Sequence, residues 1–518
     1  MPKKLLYLLL ISTAVRCLLA YWLEFGNDEV YYWTYARHLQ WNYFDHPPMV
    51  ALLVRLGTLG MHLRGELFVR AGAIACAGLN TWLVFLIGKR LRDERAGWFA
   101  ALLYNSSFYC IIIAGTFILP DSAQVLWWVL AIYLMTLVTD EKQVAPRKGL
   151  LLLLTGTAIG LCIMSKVHGV FLWLGFGLYI LLYDRKLLKE PALYAAAAIT
   201  ALIVSPILFW NMQNHFITYS FHNSRVGFLD KKLDWDAFLQ QFLGSILYNN
   251  PVNVILYALG IWGILRTPDL VQPSFRRLYL LLGLPLILVL LVMSLFNDTL
   301  PHWSGPAYIS LMLLAAVYYS WRLDSRRLLP GPILAPLLLL GFAATLGVAV
   351  IRWLPLQLGK TDQRVLGDGD VTLDMSGWHA LQPAFDSVYR RDLRDGRISQ
   401  DPRILSDKWF PAANLDYYVA TPTGLSLFAA GRLVDIHHYA WLNRELPPMQ
   451  AGSDAYFIYP SNYFGPPKKP LLDYFERMDT AALVPQYRAG VHVRNFVILR
   501  LIHYKGGIPA DGILEPMP

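Results

Sequence analysis

Apolar runs about as long as a bilayer is thick follow one another along the first two-thirds of the chain, separated by short polar breaks. A hydrocarbon core of roughly 30 Å takes about 20 helical residues to cross, and only helices or closed barrels satisfy their backbone inside it. The repetition therefore confines the chain to an α-helical polytopic membrane fold. Spans are expected near 5-23, 67-88, 97-117, 122-139, 149-165, 167-183, 192-210, 247-265, 278-296, 304-320 and 331-351, about 11 transmembrane helices.

The basic residues test this topology. Lys3/Lys4, Lys89/Arg90/Arg92/Arg95, Lys142/Arg147/Lys148, Arg185/Lys186/Lys189, Arg266/Arg276/Arg277 and Arg322/Arg326/Arg327 all fall on one side if every span crosses. By the positive-inside rule that side is the cytoplasm. The opposite face then receives the Asp28–Pro48 segment, Pro120-Asp121, Ser165–His168, a long loop after Trp210, His302-Trp303 and everything beyond Arg352. The same rule accounts for the net charge of +9 without a nucleic-acid partner. With 56% hydrophobic and only 16% charged residues, the composition excludes an ordinary soluble enzyme. The first span reads as an uncleaved signal anchor, because no small-residue cleavage site precedes Glu24. Cys17, Cys76, Cys110 and Cys162 all lie in expected spans, so they read as small buried hydrophobes.

Beyond residue 352 the composition shifts. Asp and Arg become frequent, short strand-like runs occur at 403–406, 455–459 and 496–501, and a helix-like stretch covers 412–420. The expectation is a transmembrane catalytic domain over 1-351 and a soluble α/β domain over 352-518, the latter on the periplasmic side and structural in role.

Ionisable residues beside a membrane bundle are costly unless paired, wet or in use, so they mark candidate sites. Asp28-Glu29 follows the first span; a carboxylate there can take a proton from a substrate hydroxyl, although Asn27-Asp28 also suits a plain helix start. Asp45-His46 precedes Pro47-Pro48, and paired prolines aim both side chains in a defined direction. His46 suits a phosphate contact or, with Asp45, a metal, against the simpler reading of a turn histidine. Pro120-Asp121 is an ordinary helix-start pair that also brings a carboxylate to the same face. Lys166 sits in a tight turn between two spans, where its rival reading is a snorkelling helix-end lysine. Tyr31, Tyr32, Trp210, Asn211, Arg225, His302 and Trp303 complete the set: rings pack on a sugar face, amides bond hydroxyls, and guanidinium grips phosphate oxygens.

The ordered motifs Asp28-Glu29-Val30-Tyr31-Tyr32-Trp33, Tyr43-Phe44-Asp45-His46-Pro47-Pro48, Leu119-Pro120-Asp121, Met164-Ser165-Lys166, Pro206–Asn211 and Pro301-His302-Trp303 resemble those of bacterial membrane glycosyltransferases of the protein O-mannosyltransferase-like superfamily. That group includes the lipid A aminoarabinose transferases. The resemblance covers about residues 1-320 and implies a GT-C fold in the bacterial inner membrane. It also implies a polyprenyl-phosphate-linked sugar donor, inverting transfer on the periplasmic side, and an acceptor that is lipid A, another envelope glycan or protein. By motif position Asp28 matches the first-loop catalytic aspartate, Asp121 the second-loop acidic residue, and Lys166 a basic residue near the donor phosphate. Two departures stand out: His46 replaces a lysine and Asp45 a glutamate. No cofactor is required, and these departures argue against the divalent metal that part of the family would allow. A lipid-linked sugar transporter is the alternative, but it would more often show Gly/Pro-broken spans at the bilayer midplane and repeated halves.

Overall fold

The computed structural model describes residues 1–142, 147–226, 232–323, 329–463 and 465–515, side chains of 224–226 excepted. Its contacts divide the chain into two units, Met1–Ala20 with Leu39–Ala343, and Tyr21–His38 with Ala344–Pro518.

The first unit is built from helices α1 (Lys3–Trp22, up to Ala20), α3 (Met49–Gly57), α4 (Glu66–Leu91), α5 (Glu94–Tyr104), α6 (Pro120–Val138), α7 (Lys148–Ile163), α8 (Val170–Tyr183), α9 (Pro191–Gln213), α10 (Ile217–Val226), α11 (Trp235–Tyr248), α12 (Pro251–Arg266), α13 (Pro273–Ser294), α14 (Gly305–Arg322) and the first part of α15 (Gly331–Arg352). Among the described residues six helices, α1, α4, α6, α9, α13 and α15, are long and apolar enough to cross a membrane. Shorter apolar helices occupy Lys148–Ile163, Val167–Tyr183 and Pro251–Arg266. α14 is buried along nearly its whole length, the pattern of a helix wrapped on all sides by others. Close approach depends on small residues: a side chain on Gly156 of α7 would come 2.2 Å from the Ala196 carbonyl oxygen of α9.

Two expectations are corrected in this unit. The span expected at 97-117 is not one helix: α5 stops at Tyr104, and a π-helical turn at Tyr109–Ile113 follows. Asn105-Ser106-Ser107 causes the break, because Asn105 and Ser106 side chains bond the Ala101 and Leu103 carbonyls in competition with helix continuation. The long loop expected after Trp210 is largely helical, since α9 continues to Gln213 and α10 and α11 follow.

The second unit holds α2 (Asn27–Arg37), α16 (Trp378–Arg394), α17 (Trp409–Leu415) and two sheets. The strands are β1 (Arg403–Ser406), β2 (Leu427–Ala429), β3 (Gly431–Arg432), β4 (Ala455–Pro460), β5 (Phe475–Arg488), β6 (Val491–Tyr504) and β7 (Ile513–Glu515). The larger sheet runs β2-β1-β4-β6-β5, parallel on the β2/β1/β4 side and antiparallel from β4 through β6 to β5. The β5–β6 hairpin turns on Ala489 and Gly490, both at positive φ, as a two-residue loop between twisted strands requires. One difference from the expected division is that Tyr21–His38 groups with the carboxy-terminal residues. Its aromatic side chains explain this: Phe25 meets Tyr417 at 5.0 Å, Trp33 meets Tyr417 at 4.9 Å, and Arg37 bonds both Asp416 oxygens at 2.8 and 2.7 Å.

Candidate active site

Asp121 lies in the first turn of α6, which Pro120 opens and Leu119 precedes in extended conformation. Its two oxygens are separately held. Lys166 Nζ donates to Oδ2 at 2.8 Å and the Tyr109 hydroxyl donates to Oδ1 at 2.9 Å. The ion pair is buried, with side chains 5% (Lys166) and 2% (Asp121) exposed, so Lys166 is not a snorkelling helix-end residue. Lys166 reaches inward because it stands in extended conformation between the end of α7 and a single 3-10 turn at Val167–Gly169. Tyr109 reaches Asp121 because the π-helical turn rotates it there, and its ring fits only beside a glycine: a Cβ on Gly305 would lie 2.5 Å from it.

His302 and Trp303 belong to the same cluster. Trp303 packs on His168 at 5.4 Å and His302 on Tyr248 at 5.8 Å. Burial first, then the Lys166 ammonium, holds the His302 imidazole down at about 4, with the Asp121 carboxylate opposing and His46 adding to the depression. His302 is therefore neutral at ordinary pH. Tyr109, His168 and Tyr248 were not among the expected site residues; Tyr109 is hidden in an apolar run, and only its reach to Asp121 distinguishes it.

Asp45 and His46 form a second group, His46 Nδ1 standing 3.1 Å from Asp45 Oδ2. His222 of α10 bonds the Asp45 backbone oxygen at 2.9 Å, while Asn42 and Thr218 both donate to the Tyr43 carbonyl. The loop is thus tied to α10. Because His222 takes a backbone oxygen while His46 turns to the Asp45 carboxylate, the three do not form a ligand set. Among the described residues no group of three or more His, Cys, Asp or Glu is placed to hold a metal. Trp210 Nε1 donates to Gln40 Oε1 at 2.9 Å, and Asn211, fully buried, donates to the Ile207 carbonyl at 3.0 Å. The side chain of Arg225 lies outside the described residues.

In the second unit, Glu29 is buried and its Oε2 accepts the Gly26 N–H at 3.0 Å, closing a capping interaction at the start of α2. Asp28 is exposed. The structure thus gives the two adjacent carboxylates different surroundings, with Glu29 engaged in holding its own helix. Tyr31 and Tyr32 are buried among rings: Tyr31 meets Trp409 at 5.0 Å and accepts the His438 N–H at 3.2 Å. Both tyrosines sit within the packing of this unit.

Comparisons with known proteins bear on this arrangement. Residues 45–210 match the family model described as dolichyl-phosphate-mannose-protein mannosyltransferase. The lipid A galacturonosyltransferase RgtD of Rhizobium johnstonii is 21% identical over 313 residues, covering 58% of this chain and 62% of that protein, so the match spans less than two-thirds of the relative's length. ArnT from Cupriavidus metallidurans bound to undecaprenyl phosphate shares the fold over 95% of this chain and 97% of its own, with a TM-score of 0.64 at 15% identity. The same protein in the apo state gives a TM-score of 0.61. The expected helical architecture with a carboxy-terminal sheet domain is thus a fold shared with ArnT, and the family model and the galacturonosyltransferase relative are similar to this chain, the family model within its helical part.

Proposed function

We propose that the chain is an enzyme that moves a sugar from a polyprenyl-phosphate donor to an envelope acceptor of the lipid A or glycan kind. The observation that carries this reading is the buried Asp121–Lys166 pair with Tyr109 on the second carboxylate oxygen, in a chain that shares its fold with an undecaprenyl-phosphate-bound protein. A lysine kept inside such a bundle, paired rather than absent, offers an ammonium to an anionic group while Asp121 sets its position. The galacturonosyltransferase relative supports a lipid A acceptor.

The reaction is a single displacement with inversion, on the periplasmic side. The acceptor oxygen bonds to the anomeric carbon as the bond from that carbon to the phosphate oxygen breaks; the electron pair leaves on the polyprenyl phosphate and the acceptor proton goes to a carboxylate. By motif position, Asp28 is the base. Lys166, His46 and Arg225 are the candidates that carry the phosphate charge, and Trp210, Asn211, His302 and Trp303 those that hold the sugar. Mass spectrometry of envelope glycolipids and glycoproteins from a strain lacking the chain tests the reading: one sugar is expected to vanish from one acceptor class and return on complementation. An unchanged envelope profile counts against it.

A further inference from the structure

Arg16 of α1 is fully buried within the helical unit. A guanidinium keeps its proton at any ordinary pH, and inside a membrane bundle such a charge is retained where it is paired or used. The partners of Arg16 are few. Its Nη2 donates to Asn105 Oδ1 at 3.0 Å, a neutral acceptor, while Nε and Nη1 make no hydrogen bond with any described group. The titratable groups around it are Tyr104, Cys110 and Cys17, none of them a carboxylate and all neutral near pH 7 in their ordinary state. Two other buried arginines meet carboxylates, Arg488 with Asp370 at 2.7 Å and Arg500 with Asp392 at 3.1 Å, while the fully buried Arg494 spends its donors on Gln486, Asn462 and Ser376.

More unpaired donors gather beside Arg16. Tyr104 and Asn80 are fully buried next to one another. The Tyr104 hydroxyl and the Asn80 amide face each other, but none of their polar atoms completes a hydrogen bond of good geometry with a described group. Leaving one such group unsatisfied in an apolar interior costs about 1–3 kcal/mol, and more for a charged one. A set of N–H and O–H donors around one uncompensated positive charge is the chemistry that binds an anion.

We propose that Arg16, Tyr104 and Asn80 form a site for one monovalent inorganic anion of halide size inside the helical unit. A single guanidinium balances one negative charge, and a spherical anion accepts donors from several directions. Full burial of Arg16 argues against a lipid headgroup. The anion would tie α1 and α4 to the stretch between Tyr104 and Gly115, where a Cβ on Gly115 would come 3.0 Å from Arg16 Nε. That stretch carries Tyr109 to Asp121, so the site also steadies the buried ion pair.

The test uses crystals of the full chain soaked in sodium bromide, with data collected at the bromine edge. An anomalous peak is expected at hydrogen-bond distance from Arg16 Nε and the Tyr104 hydroxyl. In solution, chloride or bromide is expected to raise the melting temperature over gluconate at equal ionic strength, saturably. Tyr104→Phe, which keeps the ring and the charge, should weaken that dependence, and Arg16→Gln should abolish it. Ordered water with no anomalous peak beside Arg16 in the parent crystal overturns the proposal, as does an equal halide effect in the parent and Arg16→Gln.

Discussion

The Asp121–Lys166 pair gives a quantitative prediction because both charges are nearly sealed from solvent, 2.8 Å apart. Removing one partner of a buried pair costs about 3–5 kcal/mol, mostly because the other charge is stranded. Lys166→Ala should fall toward the lower end, since Tyr109 still donates to one carboxylate oxygen. Asp121→Ala should fall toward the upper end, because the ammonium keeps no carboxylate and the Tyr109 hydroxyl loses its acceptor. The apolar double variant Asp121→Leu/Lys166→Met strands neither charge. Buried pairs replaced in this way are often neutral or more stable by about 1–4 kcal/mol, so the double variant should be far more stable than the sum of the single losses. Equilibrium denaturation in mixed micelles measures all of these, and sugar transfer by the same preparations should be lost in every variant, separating stability from chemistry. Additive losses, with the double variant as unstable as the two singles combined, would refute the pairing argument.

Three further outcomes follow from single contacts. Glu29→Ala should destabilise the chain by about 0.5–2 kcal/mol by removing a helix-start acceptor, whereas Asp28→Asn should leave melting unchanged; equal melting shifts would remove the distinction between the two carboxylates. Gly305→Ala should cost about 1–3 kcal/mol, since the new methyl meets the Tyr109 ring, and its unfolding curve would show no change if that ring can move aside. His302, held at about 4 when folded against 6.5 ordinarily, binds its proton more readily in the unfolded chain. Stability should therefore fall as pH drops from about 6.5 to about 4 and be level above about 7, and His302→Gln should lessen that slope; parallel profiles for parent and variant would contradict this.

Much of this was legible from residue pattern because the dominant forces have simple signatures. Hydropathy marked the helical unit, and the polar breaks at Asp121, Lys166 and His302 stood out against it. Tyr109 was not legible, since a tyrosine inside an apolar run shows no sign that a π-helical turn carries it to a carboxylate twelve residues onward. Motif position singles out Asp28, but the capping role of Glu29 was not legible, because it depends on Gly26 rather than Asn27 or Asp28 serving as the cap. β1, β4 and the middle of β6 were visible as apolar strand runs, but β5 was not. It is an edge strand that carries charges and Pro485, features that suit an edge and hide a strand from propensity.

The most direct measurement is transfer by the purified full chain in lipid nanodiscs, with a synthetic polyprenyl-phosphate sugar and a lipid A acceptor, product followed by mass spectrometry. The parent chain should form sugar-bearing acceptor and release polyprenyl phosphate in equal amount. Asp28→Asn should retain its fold yet turn over about 100- to 10,000-fold more slowly, the range for loss of a general base. No product from any lipid-linked sugar, or undiminished turnover by Asp28→Asn, would contradict the account.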